Sequence, residues 1–167
     1  GNKVTRGIGN IENHGIIRVT TPNSIGMYAT GKGSRILNGV NGRIELSGSK
    51  RNIGIFAENG AEVINEGTIT TVGTGNVGQI GIAVTSGATL DNRGKIHIDA
   101  SKGYGLLVAG GIIKNYGEFN ITTGSGATKI KEVKAADTSK TLGDAGLDRI
   151  RMYAPAGSPN ATITRNG

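Results

Sequence analysis

A chain of 167 residues with 30 Gly, 3 Pro, no Cys and 35% hydrophobic residues has too little apolar side chain for an ordinary globular core. The absence of Cys removes disulfides, thiolate nucleophiles and most zinc sites, and no apolar run reaches the about 20 residues that cross a bilayer as a helix. The formal charge of +7 comes from 19 basic and 12 acidic residues scattered without a Lys/Arg block, which reads as a solvated surface and not as a nucleic-acid interface.

Along the chain, an apolar-x-Asn unit recurs at Ile11-x-Asn13, Ile36-x-Asn38, Val63-x-Asn65, Leu90-x-Asn92 and Ile113-x-Asn115, with Asn spacings of 25, 27, 27 and 23 residues. A Gly follows each Asn, at Gly15, Gly42, Gly67, Gly94 and Gly117, the second copy carrying two extra residues. Then comes an alternating stretch whose inward candidates are Ile17 and Val19, Ile44 and Leu46, Ile69 and Thr71, Ile96 and Ile98, and Phe119 and Ile121. Across a corner, a further strand starts at Ile25, Ile53, Ile80 or Tyr104. Short period-2 runs bounded by Gly and Asn are strands, because one face alone is apolar and Gly or Asn can take positive φ at the corners.

Three strands per copy without helices predict an all-β chain: a right-handed parallel β-helix of about five rungs, each of roughly 25 residues with three short strands. Asn13, Asn38, Asn65, Asn92 and Asn115 are expected to stack at one corner as a structural amide ladder. Starting at Gly1 inside patterned sequence and stopping at "ATITRNG", the chain is expected to be a fragment of a longer protein.

The fifth copy is longer than the others. "IRMYA" at 150–154 matches "IGMYA" at 25–29, and "ATITRNG" at 161–167 matches "ATLDNRG" at 88–94. This alignment divides the chain into rungs over 1–123, an inserted loop over 124–148, and completion of the fifth rung over 149–167. In the loop, Ala127, Ile130, Val133 and Lys134 have the spacing of one or two helical turns, and Lys129, Lys131, Lys134 and Lys140 make it basic. Insertions in solenoids are frequent binding loops, which makes Lys129, Lys131 and Lys134 candidate binding residues.

Alternation also assigns faces in the strand after the corner. With Ile25, Met27 and Ala29 inward, Gly26 and Tyr28 point outward, and the same parity places Phe56, Ala83, Leu107 and Tyr153 in one outward column. Tyr28, Phe56, Leu107 and Tyr153 are therefore candidates for docking a sugar ring or a protein.

Enzymes that act on polysaccharides also use β-helices, and they need convergent carboxylates or a calcium-binding Asp cluster on one sheet. The outward column of the strand before the corner reads Arg18, Glu45, Thr70, His97 and Asn120, with a single carboxylate that can pair with Arg18. Asp91 and Asp99 belong to different sheets, and His14 and His97 lack a patterned Ser or Asp partner. No catalytic residue, cofactor or metal ligand is therefore expected.

Units such as "VINEGTITTVG", "LDNRGKIHIDA" and "IIKNYGEFNIT", followed by "NIGIFAENGA" or "QIGIAV", resemble the passenger repeats of large type V autotransporter adhesins, especially those of fusobacteria, over about residues 8–123 and again over 149–167. The resemblance implies a non-enzymatic, monomeric stalk at the bacterial surface, attaching to a host or bacterial protein or glycan. Its link to the membrane would be a C-terminal outer-membrane barrel, and no nucleic acid is implied. The alternatives are a fragment of a polysaccharide-acting β-helix enzyme and a trimeric fibre or coat protein.

Overall fold

The computed structural model of the protein describes residues 9–115, 120–133 and 162–163. Its strands follow one another in threes. The first rung holds β1 (Asn10–Asn13), β2 (Ile16–Val19) and β3 (Ile25–Thr30); the second, β4 (Arg35–Asn38), β5 (Arg43–Leu46) and β6 (Ile53–Glu58). The third holds β7 (Glu62–Asn65), β8 (Thr68–Thr71) and β9 (Ile80–Thr85); the fourth, β10 (Thr89–Asn92), β11 (Lys95–Asp99) and β12 (Tyr104–Ala109). The fifth holds β13 (Ile112–Asn115), β14 (Ile121–Gly124) and β15 (Thr128–Val133), and β16 (Thr162–Ile163) begins a further turn.

Each strand pairs with the strands three before and three after it, giving three sheets in the orders β1-β4-β7-β10-β13-β16, β2-β5-β8-β11-β14 and β3-β6-β9-β12-β15. The ladder pairings are parallel throughout. This is the expected parallel β-helix. The core consists of columns running along its axis: Ile36, Val63, Leu90 and Ile113 from the first sheet; Ile44, Ile69, Ile96 and Ile121 from the second; Met27, Ile55, Ile82 and Leu106 from the third. Stacking like on like keeps each apolar side chain against its equivalent one rung away, at about 4.8 Å.

The amide ladder forms at the corner between the first and second sheets. Asn13 Nδ2 donates to Asn38 Oδ1 at 3.0 Å, Asn38 to Asn65 at 2.9 Å, and Asn65 to Asn92 at 2.8 Å. Asn115 departs from the series at the backbone, where a shift in register opposes it to Asp91 and not to Asn92. A second set of corner amides, between the second and third sheets, escaped the sequence reading. Asn52 Oδ1 accepts from Ser24 N at 3.0 Å while its Nδ2 donates to Ser47 O at 3.1 Å. Asn76 repeats this one rung on, accepting from Gly48 N and donating to Val72 O.

The fifth rung corrects the sequence-based alignment. Ile121 stands opposite Ile96 and Thr123 opposite Ile98, so the fifth copy has two extra residues after its Asn, as the second copy has. Phe119 and Ile121 are therefore not the inward pair, and Phe119 lies outside the described residues. The third strand follows at once: β15 pairs with β12, Leu106 opposite Ile130 and Ala109 opposite Val133. Residues 128–133 are thus a strand of the rung and not part of a loop with helical turns, because Ile130 at the core position satisfies the apolar column as well as a helix face would. The surplus length falls later, over 134–161, before β16 pairs Thr162 with Ile112 and Ile163 with Ile113. That last register agrees with the match of "ATIT" to "ATLD". The remainder of the expected loop and the expected strand at 149–154 lie outside the described residues.

In the third sheet the strict alternation breaks at its start. Met27 and Ala29 point into the core as expected, but Ile25 packs with Ile53, Phe56, Ile80, Ala83 and Leu107 in a second apolar cluster on the opposite face. The glycine column beside it turns inward instead: a Cβ at Gly81 would lie 2.6 Å from Gly105 O and 2.8 Å from Ile96 Cγ2. Only Gly lets the backbone pass that close to the core isoleucines at the corner, and this bend is what sends Ile53 and Ile80 outward.

On the same outer face, Tyr28 stacks on Phe56 with ring centroids 5.4 Å apart and planes tilted by 37°. Its hydroxyl donates to Glu58. Burial first, and then the adjacent carboxylate, push its pKa from the ordinary 10.0 up to about 12. The neutral phenol is thus favoured by folding, a contribution present in full below pH 10 and lost as pH rises through about 12. Alkaline titration of phenolate absorbance, wild type against Tyr28→Phe, is expected to show one late-ionising tyrosine missing from the variant.

Asn65→Ala is expected to remove two buried ladder bonds, those to Asn38 and Asn92, and to lower stability by about 2–5 kcal/mol, while Asn13→Ala, which strips only one ladder bond, costs about half as much. Urea unfolding followed by circular dichroism measures both.

Candidate functional site

Of the residues singled out in the sequence, the described members of the aromatic column do not form an exposed docking surface. Phe56 is 2% exposed and Leu107 0%, and both belong to the second apolar cluster, with Tyr28 half-buried against it. Bulky side chains on this face are in contact along the stacked rungs and are removed from solvent. Tyr153 and Lys134 lie outside the described residues. Lys129 and Lys131 are exposed on β15.

The second sheet is different. Its outward positions are polar apart from Ile16, and register sets most of them in two columns along the axis. One runs Ile16, Arg43, Thr68, Lys95. The other runs Arg18, Glu45, Thr70, His97, and then Thr122, which the shifted register puts where Asn120 was expected. Arg43, Thr68, Thr70, Lys95, His97, Asn120 and Thr122 together line a groove of about 350 Å³.

Glu45 sits between two guanidinium groups. Arg43 Nε donates to its Oε2 at 2.9 Å and Arg18 Nε to its Oε1 at 3.1 Å. The hydrogen bond from Arg43, with the charges of both arginines, holds its carboxyl below the usual carboxylate range. A carboxylate held in this way is a poor proton acceptor. His97 Nδ1 shares a 2.6 Å hydrogen bond with Thr122 Oγ1, while Lys95 has no ion-pair partner among the described residues.

Asp99, on the same outward face of β11 two residues from His97, accepts from Ser125; elsewhere, Asp91 is bound by Arg93 at 2.7 Å, and His14 lies 4.0 Å from Glu12 at an exposed turn. Among the described residues no three His, Cys, Asp or Glu side chains gather where a metal ion would be held. The arrangement on the second sheet can offer cations and hydroxyls to a ligand lying along the axis. Thr122 is the member that the sequence missed; the two extra residues after Asn115, already seen in the second copy, were the available signal.

Neither a curated protein nor a solved structure matches the chain. One protein family does, over residues 32–137, from the corner before β4 to just beyond β15: the family described as the BigA third pectate lyase-like domain. The matched stretch covers more than half of the sequence and spans the second to fifth rungs, with the polar groove and every ladder amide but Asn13, so the chain belongs to the family of the BigA third pectate lyase-like domain, a β-helix family.

Proposed function

We propose that this chain is an adhesin-type β-helix segment of a bacterial surface protein, without catalytic activity of its own, which mediates or displays attachment to host or bacterial partners. The observation that carries the reading is the family match, since BigA is a bacterial surface adhesin of autotransporter-like kind. In the finer form of the proposal, the segment belongs to a type V autotransporter passenger, held at the outer membrane by a C-terminal barrel of the full-length protein. The cysteine-free composition supports this, as does a fold whose rungs add one at a time without distant contacts.

The disposition of the polar face supports a binding role over catalysis. Its carboxylates near His97 are both engaged: Glu45 by two arginines, and Asp99, two residues along β11 on the same face, by the Ser125 hydroxyl.

Beads coated with the purified chain are expected to be retained on epithelial cells or on partner bacteria several-fold above beads coated with an unrelated β-helix; equal retention overturns the adhesive role. Incubation with anionic polysaccharides is expected to release no reducing ends. Release that disappears in His97→Ala or Glu45→Gln would establish an enzyme instead.

A further inference from the structure

The groove on the second sheet carries its cations in a particular rhythm. Arg43 and Lys95 occupy the same column two rungs apart, with Thr68 on the rung between them. Parallel strands are about 4.8 Å apart, so the two cations recur at about 10 Å along the axis. A sugar ring in an extended oligosaccharide is about as long as one rung is high. A glycan lying along the groove thus meets one rung per sugar, and a cation at every second sugar.

The second column supplies an imidazole at His97 and a hydroxyl at Thr122, and the first a hydroxyl at Thr68, groups that donate to and accept from sugar hydroxyls; Thr70 is buried, its hydroxyl donating to Thr71 O. Protein partners are anchored instead by exposed aromatic or large apolar side chains. The large hydrophobic residues that are exposed among the described ones are Ile16, one rung before Arg43 in its column, and Val40 at a corner, and neither lines the groove.

We propose that the outer face of the second sheet is a binding site for an anionic glycan whose negative charge recurs on every second sugar, Arg43 and Lys95 meeting successive charged groups while the threonine hydroxyls bind the sugars. This deepens the adhesin reading and rests on it. A glycan charged on every sugar would set alternate carboxylates beside Thr68, where the column offers no cation.

The test is isothermal titration of the full chain with three probes: a hyaluronan oligosaccharide, with uronate on alternate sugars; an oligogalacturonate of equal length, with uronate on every sugar; and an uncharged chito-oligosaccharide. Hyaluronan is expected to bind several-fold more tightly than oligogalacturonate, to weaken as salt is raised, and to lose about tenfold in affinity in the Arg43→Gln/Lys95→Gln double variant, which removes two charge-assisted contacts. Lys32→Gln, at the exposed corner between β3 and β4, is expected to leave affinity unchanged. Because Arg43 also holds Glu45, Lys95→Gln alone, at an exposed position without an ion-pair partner among the described residues, provides the variant that keeps its fold, as its unchanged thermal unfolding will confirm.

Failure of hyaluronan to bind, equal or tighter binding of oligogalacturonate, or full affinity in Lys95→Gln overturns the assignment. Bead retention separates this from the broader reading. If beads carrying Lys95→Gln still attach to cells while no glycan binds, adhesion stands and the glycan site falls. If hyaluronan binds but wild-type beads do not attach, the site stands and adhesion falls.

Discussion

Everything in this chain depends on identical positions of successive rungs lying at the same place around the axis, and the amides of Asn13, Asn38, Asn65 and Asn92 enforce that. Each side chain offers a donor in one direction along the axis and an acceptor in the other, so it is satisfied only when its equivalent lies directly above or below. Burial makes the requirement strict, because an amide shifted out of line would leave polar atoms unpaired in the core. The side-chain period of a strand is two, so a slip of one residue would exchange the core column of Ile44, Ile69 and Ile96 for the charged groups of the outer face.

With that register in place, the three sheets divide the work. The first and second each bury one face in the core. The third is apolar on both faces, with Met27, Ile55, Ile82 and Leu106 inside and Ile53, Phe56, Ile80 and Leu107 in the outer cluster. Burial on both faces is the usual condition of parallel sheets. A solvated, chemically varied face is left on the second sheet, where arginine, lysine, histidine and threonine line up in columns. The sheet proposed as the recognition surface is the one whose outward residues are least repetitive, since repetition elsewhere serves stacking.

The fifth rung shows how register and length trade off. Two extra residues after Asn115 move Ile121 into the first core position and Thr123 into the second, and Ile130 then completes the rung only a few residues later. The same pairing puts Thr122 against His97, closing the groove with a hydroxyl. A local insertion at one corner thus sets the composition of the polar face on the next sheet.

By itself the sequence determined the architecture. Five apolar-x-Asn units, period-2 strands and Gly/Asn corners specify a parallel β-helix, its core columns and its amide ladder, because each follows from local periodicity and from the need to pair a buried amide. The faces of the third sheet and the rung to which Thr128–Val133 belongs were decided only by tertiary structure. Alternation predicts direction only while a strand stays regular, and at Gly26, Gly54, Gly81 and Gly105 the backbone bends toward the core and reverses the parity of the residue before it. "IRMYA" and "TKIKEV" both offer an apolar residue at the core position, so sequence similarity could not choose between them. Hydrogen bonding to β12 did, since a rung is whatever segment pairs with the one beneath it.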